Sequence, residues 1–290
     1  MAIFKRQTSG SVVCSACGRL VGVRDESCYN CGRRNPGMWG FAQALRSLGQ
    51  DLGFTKLVVG ACGLLYALML VTDLEGIGNA GMFGMLSPSH RSAMLFGASG
   101  VVPVLQLDRW WTVLSAGWLH GGLLHIGFNM MWAYQLVPAV ARLYGPGRVV
   151  IIYLLSSVVG FAASSLAVFL PLRIFFLRPA PFTLGASAAI LGLLGALVYY
   201  GKRSGSSMVG RQALVYAVAL IIFGFVMSGV DNWAHVGGFS GGYLVAKWLD
   251  PLKPERADHA IIAIALLVLS LLSVIVSVLH GLALVRAGLF

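Results

Sequence analysis

The chain has 290 residues, of which 58% are hydrophobic and only 11% charged, and its mean hydropathy is +0.81. A soluble domain carries about a quarter charged residues, so the composition excludes a water-soluble globular fold. The net charge of +11 would suit a nucleic-acid partner, but its distribution along the chain follows membrane orientation instead, and no nucleic acid is expected.

Residues 1–10, MAIFKRQTSG, hold no apolar stretch of the kind a cleavable signal peptide needs. Residues 1–50 are polar and glycine-rich, hold four of the five cysteines, and read as a small domain outside the membrane. Cys14, Cys17, Cys28 and Cys31 are spaced C-x2-C-x10-C-x2-C, and each pair is followed by Gly-Arg. Glycine permits the turn that aims backbone N–H groups at sulfur, and four thiolates make a closed tetrahedral structural zinc site. Two disulfides or a redox pair are the competing readings. A reducing cytoplasm disfavours disulfides, and so small a unit cannot bury a sufficient core without metal. A zinc-ribbon-like domain that docks a cytoplasmic protein partner or regulates is therefore expected. Cys62 reads as packing.

Seven apolar runs follow, each long enough to span, since about 20 residues cross the hydrocarbon core. They are expected at about Phe54–Val71, Val113–Val140, Val149–Leu170, Phe182–Tyr200, Ala213–Gly229, Asn232–Leu249 and His259–Val285. Between the first two lies Thr72–Thr112, whose Phe83, Phe96, Trp110 and Trp111 suit a segment lying in the bilayer interface. Positive charge sets the orientation. Arg33, Arg34, Arg46 and Lys56 precede the first run. Arg142 and Arg148, then Lys202, Arg203 and Arg211, then Lys247, Lys253 and Arg256 fall on the same side. The other side carries Arg91, Asp108, Arg109, Arg173, Arg178 and Asp231. The N-terminus is accordingly expected in the cytoplasm and the C-terminus outside, so runs two, four and six enter from the outer face.

Those three runs hold the polar residues. Run two has His120, His125 and Asn129, the last two four apart and on one helix face. Run four places Ser187 about five residues in, roughly 8 Å along the axis. Run six has His235, followed by Gly238 and Gly242, a small face that lets another helix come close. Taken singly, the serine is explained by a bond to its own helix backbone, the histidines by packing and the asparagine by helix association. Taken together at one depth they form an inventory for acyl transfer: a hydroxyl nucleophile, an imidazole base and donors for an oxyanion. Asp231, four before His235, is in place either to orient the ring or to sit as a solvated flank residue.

These residues resemble the rhomboid intramembrane serine proteases over about residues 55–250. The match rests on H-x4-H-x3-N (His120, His125, Asn129), G-x-S (Gly185, Ser187) and A-H-x-x-G-x-x-x-G (Ala234, His235, Gly238, Gly242), with Asn232 also fitting. The resemblance implies an all-α polytopic membrane protein: a six-helix rhomboid core (residues 51–250), a seventh C-terminal transmembrane helix (251–290) and the N-terminal zinc-ribbon-like domain (1–50). It implies Ser187 as nucleophile and His235 as general base. His125, Asn129 and the Ser187 N–H would form the oxyanion site, with His120, Gly185, Asn232, Gly238 and Gly242 supporting. The fifth run would be a mobile gate, and no cofactor would serve catalysis. Expected partners are membrane lipids and single-pass transmembrane substrates, cleaved near the outer face.

The chain departs from the family pattern in four places. Ala188 replaces the glycine after the serine, adding a methyl beside the oxyanion site. Leu191 stands where an aromatic residue is usual, Arg109-Trp110-Trp111 shifts the usual Trp-Arg order, and Ala141 replaces a common glutamate. A catalytically inactive rhomboid-like adaptor that binds transmembrane segments is the alternative reading. A transporter is weaker, because no charged residues are placed to couple ions.

Overall fold

Glycine stands immediately before α2, α5 and α6, three of the long helices. The structure, a computed structural model, describes residues 6–14, 17–46, 49–80, 84–170, 178–227 and 229–286. Phe83 and Arg173 lie outside the described residues. At the N-terminal end β1 (Ser11–Val13) and β2 (Leu20–Gly22) form an antiparallel hairpin with Val12 opposite Val21. A second turn is closed by a Ser27–Arg34 bridge, and α1 (Ala42–Arg46) follows. Among the described residues the buried apolar cluster here is Val12, Cys14, Val21, Val23, Cys28 and Ala42, too few residues to hold a fold unaided.

The rest of the chain is helical. α2 (Phe54–Thr72) leads into a small hairpin, β3 (Gly78–Ala80) with β4 (Gly84–Ser87), then α3 (His90–Phe96) and α4 (Thr112–Ser115). The long helices α5 (Leu123–Tyr144), α6 (Pro146–Leu166), α7 (Ser187–Ser204), α8 (Ser207–Val226), α9 (Asn232–Leu249) and α10 (Ala257–Arg286) follow. By length and composition α2, α6, α8 and α10 can cross a membrane. α5, α7 and α9 are of similar length but less apolar, because they carry the glycines and the polar residues of the site. The chain is thus an all-α polytopic membrane protein with six core helices, a seventh beyond them and a small cysteine-bearing unit at its N-terminal end.

Two expected boundaries are corrected. The second run was expected to be helical from Val113, yet α5 starts at Leu123. Gly121 and Gly122 interrupt the helix, with Gly122 extended at φ 167°, so His120 precedes α5. The fourth run was expected to put Ser187 five residues into its helix, yet Ser187 is the first residue of α7. Ahead of it Thr183 exchanges backbone hydrogen bonds of 2.8 and 2.9 Å with Ser99, and Gly185 takes φ +130°, a conformation that only glycine adopts without strain. The Thr72–Thr112 segment is folded rather than loop-like: Ala93, Met94, Leu95, Phe96 and Ala98 are buried against Tyr66, Met69 and Leu119.

α7 is the central helix, with every residue from Ala188 to Leu197 buried. α9 lies on it backbone to backbone. A methyl group on Gly238 would strike the Ala188 backbone, and one on Gly242 the Gly192 backbone. α6 joins the same seam, since a methyl on Gly160 would stand 2.6 Å from the Ala234 carbonyl. Apolar side chains gain little by leaving lipid for protein, so association of this kind rests on close van der Waals packing.

At the other end of the bundle the α9–α10 linker is held by α6. Buried Arg148 donates to the Lys253 carbonyl at 2.7 Å and the Pro254 carbonyl at 2.9 Å. Glu255 accepts the amides of Gly147 and Arg148 at 2.7 and 3.0 Å, a negative charge set at a helix N-terminus. Its other oxygen faces Arg33 of the cysteine unit at 3.6 Å.

Gly242→Val is expected to lift α9 off α7 at a cost of about 1–3 kcal/mol for overpacking. The thermal unfolding midpoint in detergent should fall. Gly63→Ala on α2, where a methyl meets nothing within 4 Å, should leave the midpoint unchanged.

Candidate active site

Ser187 opens α7 and His235 lies in the first turn of α9, so the α7–α9 seam brings the two side chains together. His235 Nε2 stands 2.9 Å from Ser187 Oγ, with His235 buried and Ser187 half-buried. A serine hydroxyl that donates to Nε2 leaves the imidazole proton on Nδ1, and that atom is buried without a hydrogen-bond partner among the described residues. Asp231 does not orient the ring. Its carboxylate caps α9 by accepting the Ala234 amide at 3.1 Å and also accepts the Ser164 hydroxyl at 2.5 Å. It is therefore neither of the two roles considered from sequence but a helix cap.

The donors come from α5 and the turn before it. His125 Nδ1 accepts the Gly121 amide at 3.2 Å, so in the neutral ring the proton sits on Nε2. That Nε2 faces Gly185: a methyl there would lie 2.6 Å from it. Gly185 is thus required twice, for its positive φ and for the approach of the ring. Asn129 lies one turn along α5 and spends one amide hydrogen on the His125 carbonyl at 2.9 Å, which leaves the other. His120, fully buried, packs edge-on against His125 with ring centres 5.2 Å apart. Its Nε2 is 3.5 Å from the Ala186 amide, next to the serine.

Ser187, His235, His120, His125 and Asn129 line one cavity of about 780 Å³. The rest of its lining is largely apolar, with Phe161, Leu191 and residues of α8, and Trp132 of α5 meets Tyr216 of α8 at its edge, ring centres 5.3 Å apart. A larger cleft of about 1280 Å³ lies under the cysteine unit, but it holds no nucleophile–base pair. Asn232 stands apart from the dyad. It packs against Gly224 of α8, and its Oδ1 is buried without a partner among the described residues. Gly238 and Gly242 serve packing one and two turns beyond His235. The Ala188 methyl faces Gly160 on α6, 2.8 Å from where a methyl on that glycine would stand, and so turns away from the serine hydroxyl. Sequence reasoning missed Ser164 and the Trp132–Tyr216 pair. No local pattern marks them, because their partners are remote in the chain.

The four cysteines form a second cluster. Cys14 Sγ and Cys31 Sγ are 3.8 Å apart, Cys17 Sγ and Cys28 Sγ 3.6 Å, and all four lie within 4.8 Å of one another. Sulfurs about 2.3 Å from a central zinc ion stand about 3.8 Å apart at the corners of a tetrahedron, so the set could hold a metal ion. None of the five cysteines is in a disulfide. Gly18 and Gly32 follow the two pairs at φ +77° and +70°, and their amides bond back to the Cys14 and Cys28 carbonyls. Burial pushes both Cys17 and Cys31 upward. At Cys17 the Arg19 amide and neighbouring side chains outweigh it and bring the thiol down to about 6. At Cys31 the other three cysteines add to burial and the thiol is pushed up to about 12.

Residues 107–251 match the family model described as Rhomboid domain. The chain is 33% identical over 189 residues to a protein named Rhomboid protease GluP of Bacillus subtilis (strain 168), covering 63% of this chain and 35% of that one. It is 34% identical over 170 residues to RHOMBOID-like protein 4 of Arabidopsis thaliana, covering 56% of this chain and 39% of that one. It is also 28% identical over 160 residues to Inactive RHOMBOID-like protein 8 of the same plant, covering 53% of this chain and 42% of that one. The chain thus spans well under half the length of these curated relatives.

Elemental analysis of the purified protein is expected to find one equivalent of a divalent metal. Replacing Cys14 and Cys31 together by serine should abolish it and make residues 11–34 readily cleaved by an added protease.

Proposed function

The chain belongs to the rhomboid family, and from that premise we propose that it is an intramembrane serine endopeptidase working through a Ser187–His235 dyad. The observation that carries this reading is the 2.9 Å contact of hydroxyl and imidazole inside a cavity that also gathers His125 and Asn129. Ser187 Oγ gives its proton to His235 Nε2 as it attacks the scissile carbonyl carbon. The oxyanion that forms accepts hydrogen bonds from His125 Nε2–H, the free Asn129 amide hydrogen and the Ser187 backbone N–H, one of the unpaired amides at a helix start. The imidazolium then protonates the leaving amine, and a water molecule, deprotonated by His235, hydrolyses the acyl-enzyme.

The substrate class is a single-pass transmembrane segment, and membrane lipids are the other constant partner. The apolar wall and the Trp132–Tyr216 edge suit a helix that enters between α5 and α8 and unwinds at the serine. Sparse tertiary cover of α8, whose outward residues include Leu214, Val215, Ile222 and Val226, supports it as the movable side. The charge pattern supports a cytoplasmic cysteine unit and cleavage near the outer face. Residues 1–50 are proposed as that zinc-ribbon-like domain, 51–250 as the protease core and 251–290 as the added helix. Cys14, Cys17, Cys28 and Cys31 would hold a structural zinc ion, with a cytoplasmic protein as the unit's partner and no metal in the chemistry.

A fluorophosphonate probe tests the reading. Labelling of the wild type in detergent is expected, with loss of about 10⁴-fold or more in rate for Ser187→Ala and His235→Ala. His125→Ala, which removes one oxyanion donor, is expected to lower kcat about 10²–10³-fold. A folded wild type that neither labels nor cuts a transmembrane reporter would make the chain an inactive membrane adaptor instead.

A further inference from the structure

The matched domain ends at residue 251, so family membership gives α10 no role in the site. The C-terminal half of α10 is nevertheless tied to the segment that carries α3 and α4. Arg109, fully buried, donates to the Met94 carbonyl at 2.8 Å and to the Ser277 carbonyl of α10 at 3.0 Å. Trp111 donates its indole N–H to Ser277 Oγ at 3.1 Å, and its ring meets His280 edge-on at 5.4 Å. A methyl on Gly281 would stand 2.8 Å from the Leu95 side chain. A guanidinium so deeply buried must keep its partners, so it holds α3 and α10 at a set spacing.

From this clamp a short run of hydrogen bonds leads to the nucleophile. The Arg109 carbonyl accepts the Thr112 hydroxyl at 2.8 Å, and that hydroxyl is 3.3 Å from Ser99 Oγ. Ser99 pairs in both directions with Thr183, and the Gly185 amide donates to the Ala116 carbonyl at 3.0 Å. Ser187 is two residues further on.

We propose that α10 positions the nucleophile. Arg109, Trp111 and Ser277 clamp the 94–118 segment to α10, and that segment holds Thr183–Gly185 and thereby Ser187 Oγ against His235. Arg109 and Ser277 are positioning residues that touch no substrate. The effect on rate rests on the hydrolase reading, whereas the clamp concerns backbone order and is measurable without it.

Hydrogen exchange at the Thr183 and Gly185 amides, measured in detergent, decides between positioning and mere packing. Arg109→Gln is expected to speed exchange there by at least about 10-fold and to slow fluorophosphonate labelling about 10-fold, since small misplacements are costly to reaction geometry. Arg109→Lys should recover part of both. Leu266→Ala loosens α10 against the core away from the clamp. It should lower the unfolding midpoint and change neither readout. Trp111→Phe, which removes the donor to Ser277 and shrinks the ring that meets His280, should act in the same direction as Arg109→Gln and stands in if that variant fails to fold. Wild-type exchange at both amides in the clamp variants, or an equal rise in Leu266→Ala, would overturn the proposal. A wild type that never labels sinks the hydrolase reading alone and leaves exchange to judge the clamp.

Discussion

Bare backbone is what joins the central helices of this chain. In hydrocarbon, burying a leucine gains little, so helices are drawn together by close contact and internal hydrogen bonds. Gly238 against Ala188 and Gly242 against Gly192 set both the spacing and the axial register of α9 on α7. Ser187 is the first residue of one helix and His235 lies in the first turn of the other, so that register sets the distance between Oγ and Nε2. A slip by one four-residue repeat would move the groups about 6 Å along the axis, beyond hydrogen-bonding reach.

The same seam absorbs the departure at Ala188. Its methyl is received by Gly160 of α6, so the added carbon is placed in the three-helix junction rather than beside the hydroxyl. Asp231 is committed to the cap of α9 and to Ser164, which fixes where α9 starts and hence where His235 sits. Among the described residues no carboxylate partners the imidazole. In the proposed hydrolysis the negative charge that develops on the carbonyl oxygen is met by the donors facing the serine, and the His125 tautomer set by the Gly121 amide puts one of them there.

The cysteine unit meets the helical body through Arg33, which faces Glu255, the residue that also takes the first amides of α6. The α9–α10 linker, the start of α6 and Arg33 of the cysteine unit thus share one small polar network.

Residue types and spacing already marked the membrane class, the cysteine cluster with its two turn glycines, and the extent of α9. They also picked out Ser187, His235, His125 and Asn129, because a polar side chain in an apolar run is conspicuous without any coordinates. The unbroken apolar runs carried the expected helix starts back to about Val113 and Phe182, ahead of Leu123 and Ser187, where α5 and α7 begin. Apolar residues continue through both stretches, and only the pairing of Ser99 with Thr183 and the backbone of Gly122 and Gly185 end the helices. The roles of Asp231 and Ala188, the packing of Asn232 against Gly224, and the reach of Arg109 to Ser277 were decided by tertiary structure alone. Each depends on which atoms of a remote segment lie opposite, and a one-dimensional pattern carries the chemistry of a side chain but not the identity of its neighbour.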